Sequence, residues 1–366
     1  MVLMNDFKSE PQALRNEMLT VVSRVINSGW YVLGKEVEVF ERNWAKLCGV
    51  KYGIGVGNGM DAIEISLRAL DIGPGDEVIT TPMTAFATVL AILRSGATPV
   101  LADIDSDTAL ISIDSAQKVI SPRTKAILIV HLYGQVREMK NWQNLCKSHN
   151  IDLIEDCAQS HLATWKGNKA GSFGVVGAYS FYPTKNLGAL GDAGLVVTQD
   201  DDLAEKIGQI RNYGQSKRYQ HPVLGLNSRL DEIQAAILSQ RLKWLSKFTQ
   251  RRCQIAAYYQ DGINNSIVQQ LVAPEESSAH VYHLYVIKCE KRDALIKHLH
   301  NCEVQTLIHY PIPIHQQKPC IDLPRCPDGL PASEKHANYC ISIPCHPQMS
   351  DNDVNKVIDA INNFQA

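Results

Sequence analysis

The stretch Ala178-Tyr179-Ser180-Phe181-Tyr182-Pro183-Thr184-Lys185-Asn186-Leu187-Gly188-Ala189-Leu190-Gly191-Asp192-Ala193-Gly194 decides the reading of this chain. It begins as an aromatic, apolar strand, breaks at a proline, presents a single lysine, and then runs through a glycine-rich segment. A lysine held after a buried strand sits where the dielectric is low, so its amine sheds its proton readily and can form a Schiff base. An ordinary surface lysine is the alternative. Ser180, five residues upstream, offers a hydroxyl to an anionic group.

Outward from that stretch, short apolar runs alternate with helical periodicity. The runs are Tyr52-Val56, Glu77-Thr80, Thr98-Ala102, Ala126-His131, Leu153-Glu155, Gly177-Phe181 and Leu195-Thr198. Such alternation predicts an α/β fold with a mostly parallel sheet covered on both faces by helices. Apolar spacing over residues 12–48, interrupted by Ser28-Gly29 and Gly34, predicts two amphipathic helices ahead of the sheet. One long helical pattern covers 229–259. Beyond it a run at His283-Cys289, a helix near 293–300, a proline-rich loop over 309–319 and a last helix over 351–364 read as a smaller α/β unit. The expected division is a large domain over 1–245 and a small one over 246–366.

Composition narrows the function. The chain has 366 residues, 45% of them hydrophobic, which is enough for a large core. A formal charge of −2 leaves no electrostatic footprint for nucleic acid or an anionic membrane surface. No apolar run reaches the length of a membrane span and charge arrives early at the N-terminus, so a cytoplasmic protein is expected. Ten cysteines are present without a CxxC pair, which argues for reduced packing thiols and no metal. What remains is small-molecule chemistry.

In open α/β sheets the ligand lies beyond the carboxyl ends of strands. Two further strand ends therefore stand out. Gly55-Val56-Gly57-Asn58-Gly59-Met60-Asp61 passes from a strand into a helix whose N-terminus can bind an anion, or it is simply a tight connection. It lacks both the P-loop lysine and the G-x-G-x-x-G spacing, which counts against a nicotinamide oxidoreductase. Ile151-Asp152-Leu153-Ile154-Glu155-Asp156-Cys157-Ala158-Gln159-Ser160-His161 is an apolar strand ending in carboxylates, suited to a ring nitrogen that must stay protonated, or to a helix cap. Asp156 is the carboxylate for that task and Gln159 can reach a ring hydroxyl. Glu155 points to the opposite face and reads as structural, and neither His131 nor His161 is assigned a catalytic role.

Taken together these segments resemble the DegT/DnrJ/EryC1/StrS family of sugar aminotransferases over about residues 5–350. The matching stretches are GVGNGMDAI, GPGDEVITTP, GATPVLADID, HLYGQ, IEDCAQSH, SFYPTKNLGALGDAG, IRNYG and LNSRLDEIQAA, in that order. The resemblance implies an aspartate-aminotransferase-like (fold type I) architecture, pyridoxal 5′-phosphate as cofactor, and Lys185 as its covalent anchor and catalytic base. By matching position it implies Asp156 at the pyridine nitrogen and Gln159 at the ring oxygen. Ser180 with the Gly59-Met60 backbone is implied at the phosphate, and Phe86 against the ring face. Asn227 is similar to a residue that reaches the partner subunit's cofactor, which implies a homodimer with shared sites.

Relatives with histidine in place of the lysine dehydrate sugars, so Lys185 favours amination. The FYPTKNLGALGDAG form looks like enzymes acting on 3-keto sugars, and the expected reaction aminates a dTDP-linked 3-keto-6-deoxyhexose with glutamate as donor. A UDP-linked 3-keto uronic acid and a 4-keto nucleotide sugar are the alternatives. Expected sugar and diphosphate contacts are Tyr182, Lys217, Tyr219, His221, His309, Tyr310 and His315, with His309 and His315 also explicable as loop histidines held by backbone contacts. Arg229 either meets the glutamate carboxylate or binds across the subunit interface. A member of this fold turned regulator or binding module is the different-class alternative, and the set of Lys185, Asp156 and Gln159 disfavours it.

Overall fold

The computed structural model describes residues 1–365. Strands β1 (Tyr52–Val56), β2 (Glu77–Thr80), β3 (Thr98–Leu101), β4 (Thr124–Val130) and β5 (Asp152–Asp156) are followed by a small hairpin, β6 (Thr164–Trp165) with β7 (Asn168–Lys169). Then come β8 (Val176–Ser180) and β9 (Gly194–Thr198). The main sheet is seven-stranded in the order β1-β9-β8-β5-β4-β2-β3. β9 runs antiparallel to both its neighbours, and every other pairing is parallel. Because β8 and β9 are adjacent and opposed, the chain between them turns back at the carboxyl edge of the sheet, and that turn carries Lys185.

Helices cover both faces, as the alternating pattern predicts. Of α1 (Gln12–Ser28), α2 (Lys35–Cys48), α3 (Gly59–Ala69), α4 (Phe86–Ser95), α5 (Ile113–Lys118), α6 (Met139–His149) and α7 (Asp201–Ile210), helices α2 and α6 pack on one face through Phe40, Trp44, Trp142 and Leu145. The other face is covered by α3, α4 and α7 through Ile63, Leu67, Ile92 and Ile207. Buried strands such as Ala126–Val130 are apolar on both sides for this reason.

Helix α8 (Glu232–Gly262) is 31 residues long. Its first half packs Ala236, Ile237 and Phe248 against α1, and its second half gives Ile255, Ala256 and Tyr259 to a separate core. That core lies under a three-stranded antiparallel sheet of β10 (Val268–Gln270), β11 (Tyr285–Cys289) and β12 (Cys340–Ile343). Helices α9 (Arg292–Asn301) and α11 (Asp351–Asn362) complete it, and α10 (Pro331–Tyr339) leads into β12. We propose the division near residue 245, inside this shared helix. The chain's first residues do not stay with the large unit: Val2 bridges Val304 and is buried in the small core. No helix among the described residues is long and apolar enough to cross a membrane.

Candidate functional site

Four carboxyl strand ends meet at one edge of the main sheet. After β1, Asn58 caps α3 by accepting from the Asp61 N–H at 2.9 Å, and Gly59 is the first residue of the helix. A Cβ on Gly59 would stand 2.5 Å from the Ser180 Cβ, so only glycine lets the end of β8 close on the α3 N-terminus. The result is a cradle of helix N–H groups beside a half-buried hydroxyl. Met60 turns its side chain toward the α3 core.

After β2, Phe86 opens α4 with its ring 36% exposed. Two residues on, the Thr88 hydroxyl donates to Asp156 Oδ2 at 2.9 Å. Asp156 Oδ1 accepts from the Ala158 N–H at 3.1 Å, so both oxygens at the end of β5 are aimed. Burial pushes the Asp156 carboxyl upward, against these two hydrogen bonds and the attraction of Lys185 and His131. Gln159 accepts from the Tyr133 N–H at 2.6 Å, which turns its amide nitrogen outward, 3.3 Å from the Tyr310 hydroxyl.

After β8, Lys185 is half-buried in a turn whose backbone N–H donates to Tyr182 O at 2.8 Å. Loss of hydration brings its amine down to about 8, partly offset by the Asp156 charge. Under this turn lies an aromatic floor in which Trp44 meets His161, Tyr179 and Phe181 edge-on at 5.3, 5.1 and 5.0 Å between ring centres. His161 Nδ1 accepts from the Leu187 N–H at 3.1 Å, a tie between the floor and the turn.

Lys185, Asp156, Gln159, His309 and Tyr310 thus lie close together, and Ser180, Gly59 and Phe86 stand beyond the neighbouring strand ends. His309 is bonded through Nδ1 to Ser342 Oγ at 2.8 Å and pushed down to about 4 by burial and the Lys185 charge. Other expected residues lie elsewhere in the single chain. Lys217, Tyr219 and His221 stand on an exposed hairpin closed by a Lys217–Gln220 bridge, and His221 Nδ1 is 2.9 Å from Tyr213 O. Asn227 is exposed, while its neighbour Ser228 is buried and bonds the Gly57 N–H and Asp61. The Arg229 guanidinium donates to Asn212 Oδ1 at 3.1 Å and lies 5.3 Å from the Tyr213 ring. Tyr182 is 51% exposed. His315 is buried with Nε2 3.0 Å from Glu334 Oε1. Its Nδ1 is buried without a hydrogen-bond partner.

Glu155 points away from the cleft, and its oxygens are taken by His131 Nε2 at 2.8 Å and the N–H groups of Gly171, Phe173 and Gly174. Thr88, Tyr133 and His283 escaped the sequence reading. Their contacts join segments far apart in the chain, and no local pattern marks them.

These residues fit pyridoxal phosphate. The Gly59 cradle suits a phosphate, the aimed and buried carboxylate suits a ring N–H, and an amine poised near 8 suits imine chemistry.

A family model described as the DegT/DnrJ/EryC1/StrS aminotransferase family matches residues 12–362. A relative from Aneurinibacillus thermoaerophilus, dTDP-3-amino-3,6-dideoxy-alpha-D-galactopyranose transaminase, is 44% identical over 98% of each chain. Among solved structures, S. venezuelae DesV in complex with a ketimine intermediate superposes with a TM-score of 0.95 at 40% identity, over 99% of this chain and 97% of that one. NtdA from Bacillus subtilis with bound cofactor PMP gives 0.88 at 30% identity, over 96% and 82%.

Proposed function

Because the chain belongs to the DegT/DnrJ/EryC1/StrS aminotransferase family, we propose that it transfers an amino group from glutamate to C3 of a dTDP-linked 3-keto-6-deoxyhexose, giving the dTDP-3-amino-3,6-dideoxyhexose. The chain is a pyridoxal 5′-phosphate-dependent aminotransferase. The observation that carries the substrate reading is the end-to-end similarity to a transaminase named for that product. When bound, the cofactor supplies an electron sink and a carrier for the amino group between the two substrates.

The chain's own residues hold and move protons around that carrier. Lys185 would anchor the cofactor, and its free amine would act as the base that takes a proton from the amino acid Cα. An amine near 8 both accepts and donates close to neutral pH. Asp156, aimed by Thr88, keeps a proton on the ring nitrogen. Gln159, its oxygen already engaged by Tyr133, turns its amide nitrogen to the ring oxygen. Ser180 and the Gly59-Met60 N–H groups bind the phosphate, and Phe86 covers the ring face.

The exposed Asn227 and the hairpin bearing Lys217, Tyr219 and His221 are best explained as reaching a second subunit's cleft in a homodimer. There they meet phosphate and nucleotide diphosphate, while Tyr182, His309 and Tyr310 contact the sugar from this chain. Arg229 serves either the glutamate carboxylate or the subunit contact.

The experiment is an assay of nucleotide keto sugars generated in situ with glutamate, read by mass. The expected outcome is a 3-amino product from the dTDP-3-keto-6-deoxyhexose. A product only from a 4-keto sugar or a uronic acid overturns the substrate assignment.

A further inference from the structure

His283 is a buried histidine, 8% exposed, that the chemistry above leaves without a task. Its Nδ1 lies 3.2 Å from Asn186 Oδ1, and Asn186 Nδ2 lies 3.1 Å from Val281 O. A backbone carbonyl only accepts, so Asn186 turns its amide nitrogen to Val281 and its oxygen to His283. That oxygen also only accepts, so the imidazole proton sits on Nδ1 and Nε2 is left as a lone pair. Burial and the nearby Lys185 charge push His283 well below its ordinary value, which keeps the ring neutral. Among the described residues Nε2 has no hydrogen-bond partner, and it is not one of the sealed, unsatisfied atoms.

The ring lines a cavity with Met4, Asn5, Thr184, Leu307 and His309. Thr184 precedes Lys185, which places the cavity beside the lysine turn. No lysine or arginine lines it. A carboxylate, which only accepts, would face the Nε2 lone pair with no proton between them, which is costly. A hydroxyl would find an acceptor, and the aliphatic walls would suit the carbon beside it.

We propose that His283 accepts, through Nε2, a hydrogen bond from a hydroxyl on the uncharged pyranose part of the substrate, and so selects a neutral keto sugar over a uronic acid. This rests on the nucleotide-sugar reading above and names the residue that senses the sugar within it.

The test pairs two substitutions in the holoenzyme. His283→Asn keeps an amide nitrogen where Nδ1 was and removes the distal acceptor, whereas His283→Gln keeps an acceptor near the Nε2 position and gives up the Nδ1 donor. Calorimetric titration uses two probes, the dTDP-3-amino-3,6-dideoxyhexose product and dTDP alone. We expect His283→Asn to weaken the sugar nucleotide about tenfold and His283→Gln to stay within about threefold, as for loss of one hydrogen bond. Binding of dTDP stays unchanged in both. The reverse order, an equal loss for dTDP, or no loss in either variant overturns the proposal and leaves His283 as a prop for the lysine turn. Wild-type holoenzyme that binds neither probe overturns the nucleotide-sugar reading beneath it, a failure visible without any variant.

Discussion

Lys185 releases its proton at a lower pH than an exposed lysine because its ammonium has lost water that the Asp156 charge only partly replaces. The folded value, about 8, lies below the 10.5 of an ordinary lysine. The free amine therefore dominates above about 8 and the ammonium below it. The rate at which the apoprotein captures pyridoxal phosphate is expected to rise with pH and level off near 8, followed by visible absorbance. A rate still climbing toward 10.5 would mean the amine is not desolvated. The Asp156 partner gives a second prediction. Thr88→Val should lower kcat roughly tenfold, the scale of a hydrogen bond to a charged group, with folding intact. Asp156→Asn should lower it by roughly a hundredfold or more, since a preorganised charge at the reacting system is lost. Steady-state kinetics decide, and equal effects would mean that Thr88 does more than orient. At this scale the sequence announces Lys185 and Asp156, which end apolar strands. It does not announce Thr88 or His283, whose roles come from contacts 68 and 97 residues away along the chain.

At the scale of elements, the site depends on how closely β8 approaches α3 and on what lies under the lysine turn. Gly59→Ala places a Cβ 2.5 Å from the Ser180 Cβ, so the cradle must open. Equilibrium dialysis is expected to show cofactor affinity reduced at least tenfold, whereas Gly208→Ala, inside α7 with open space around it, should stabilise the fold by about 0.5–1 kcal/mol. Unchanged cofactor affinity in Gly59→Ala would remove the helix N-terminus from the phosphate site. Trp44→Ala hollows the aromatic floor and should cost about 3–5 kcal/mol in denaturant unfolding, because the ring is fully buried against three others. The strands were legible as apolar runs because both of their faces are covered. The reversal of β9 was not, since a strand buried on both sides carries no mark of its direction. The turn that reversal creates is what brings Lys185 to the same edge as Asp156.

For the whole molecule, the exposed Trp30, Tyr31 and Val32 lie on the same chain as the outlying Asn227 and the basic hairpin, a distribution expected of a subunit that completes its neighbour's site. Mixing Lys185→Ala and Asn227→Ala proteins after subunit exchange should restore roughly a quarter of wild-type activity, because half the dimers are mixed and each mixed dimer holds one intact cleft. Recovery no greater than the sum of the separate proteins would mean that each cleft is built from one chain. The crossing of the first residues into the small core was invisible in sequence, because a lone Val2 pairing with Val304 has no local periodicity to betray it. The account as a whole turns on a covalent bond between the cofactor aldehyde and one side chain. Borohydride reduction of the holoenzyme followed by peptide mapping is predicted to fix the phosphopyridoxyl group on Lys185 alone. An unlabelled Lys185, or a label on any other lysine, would contradict it.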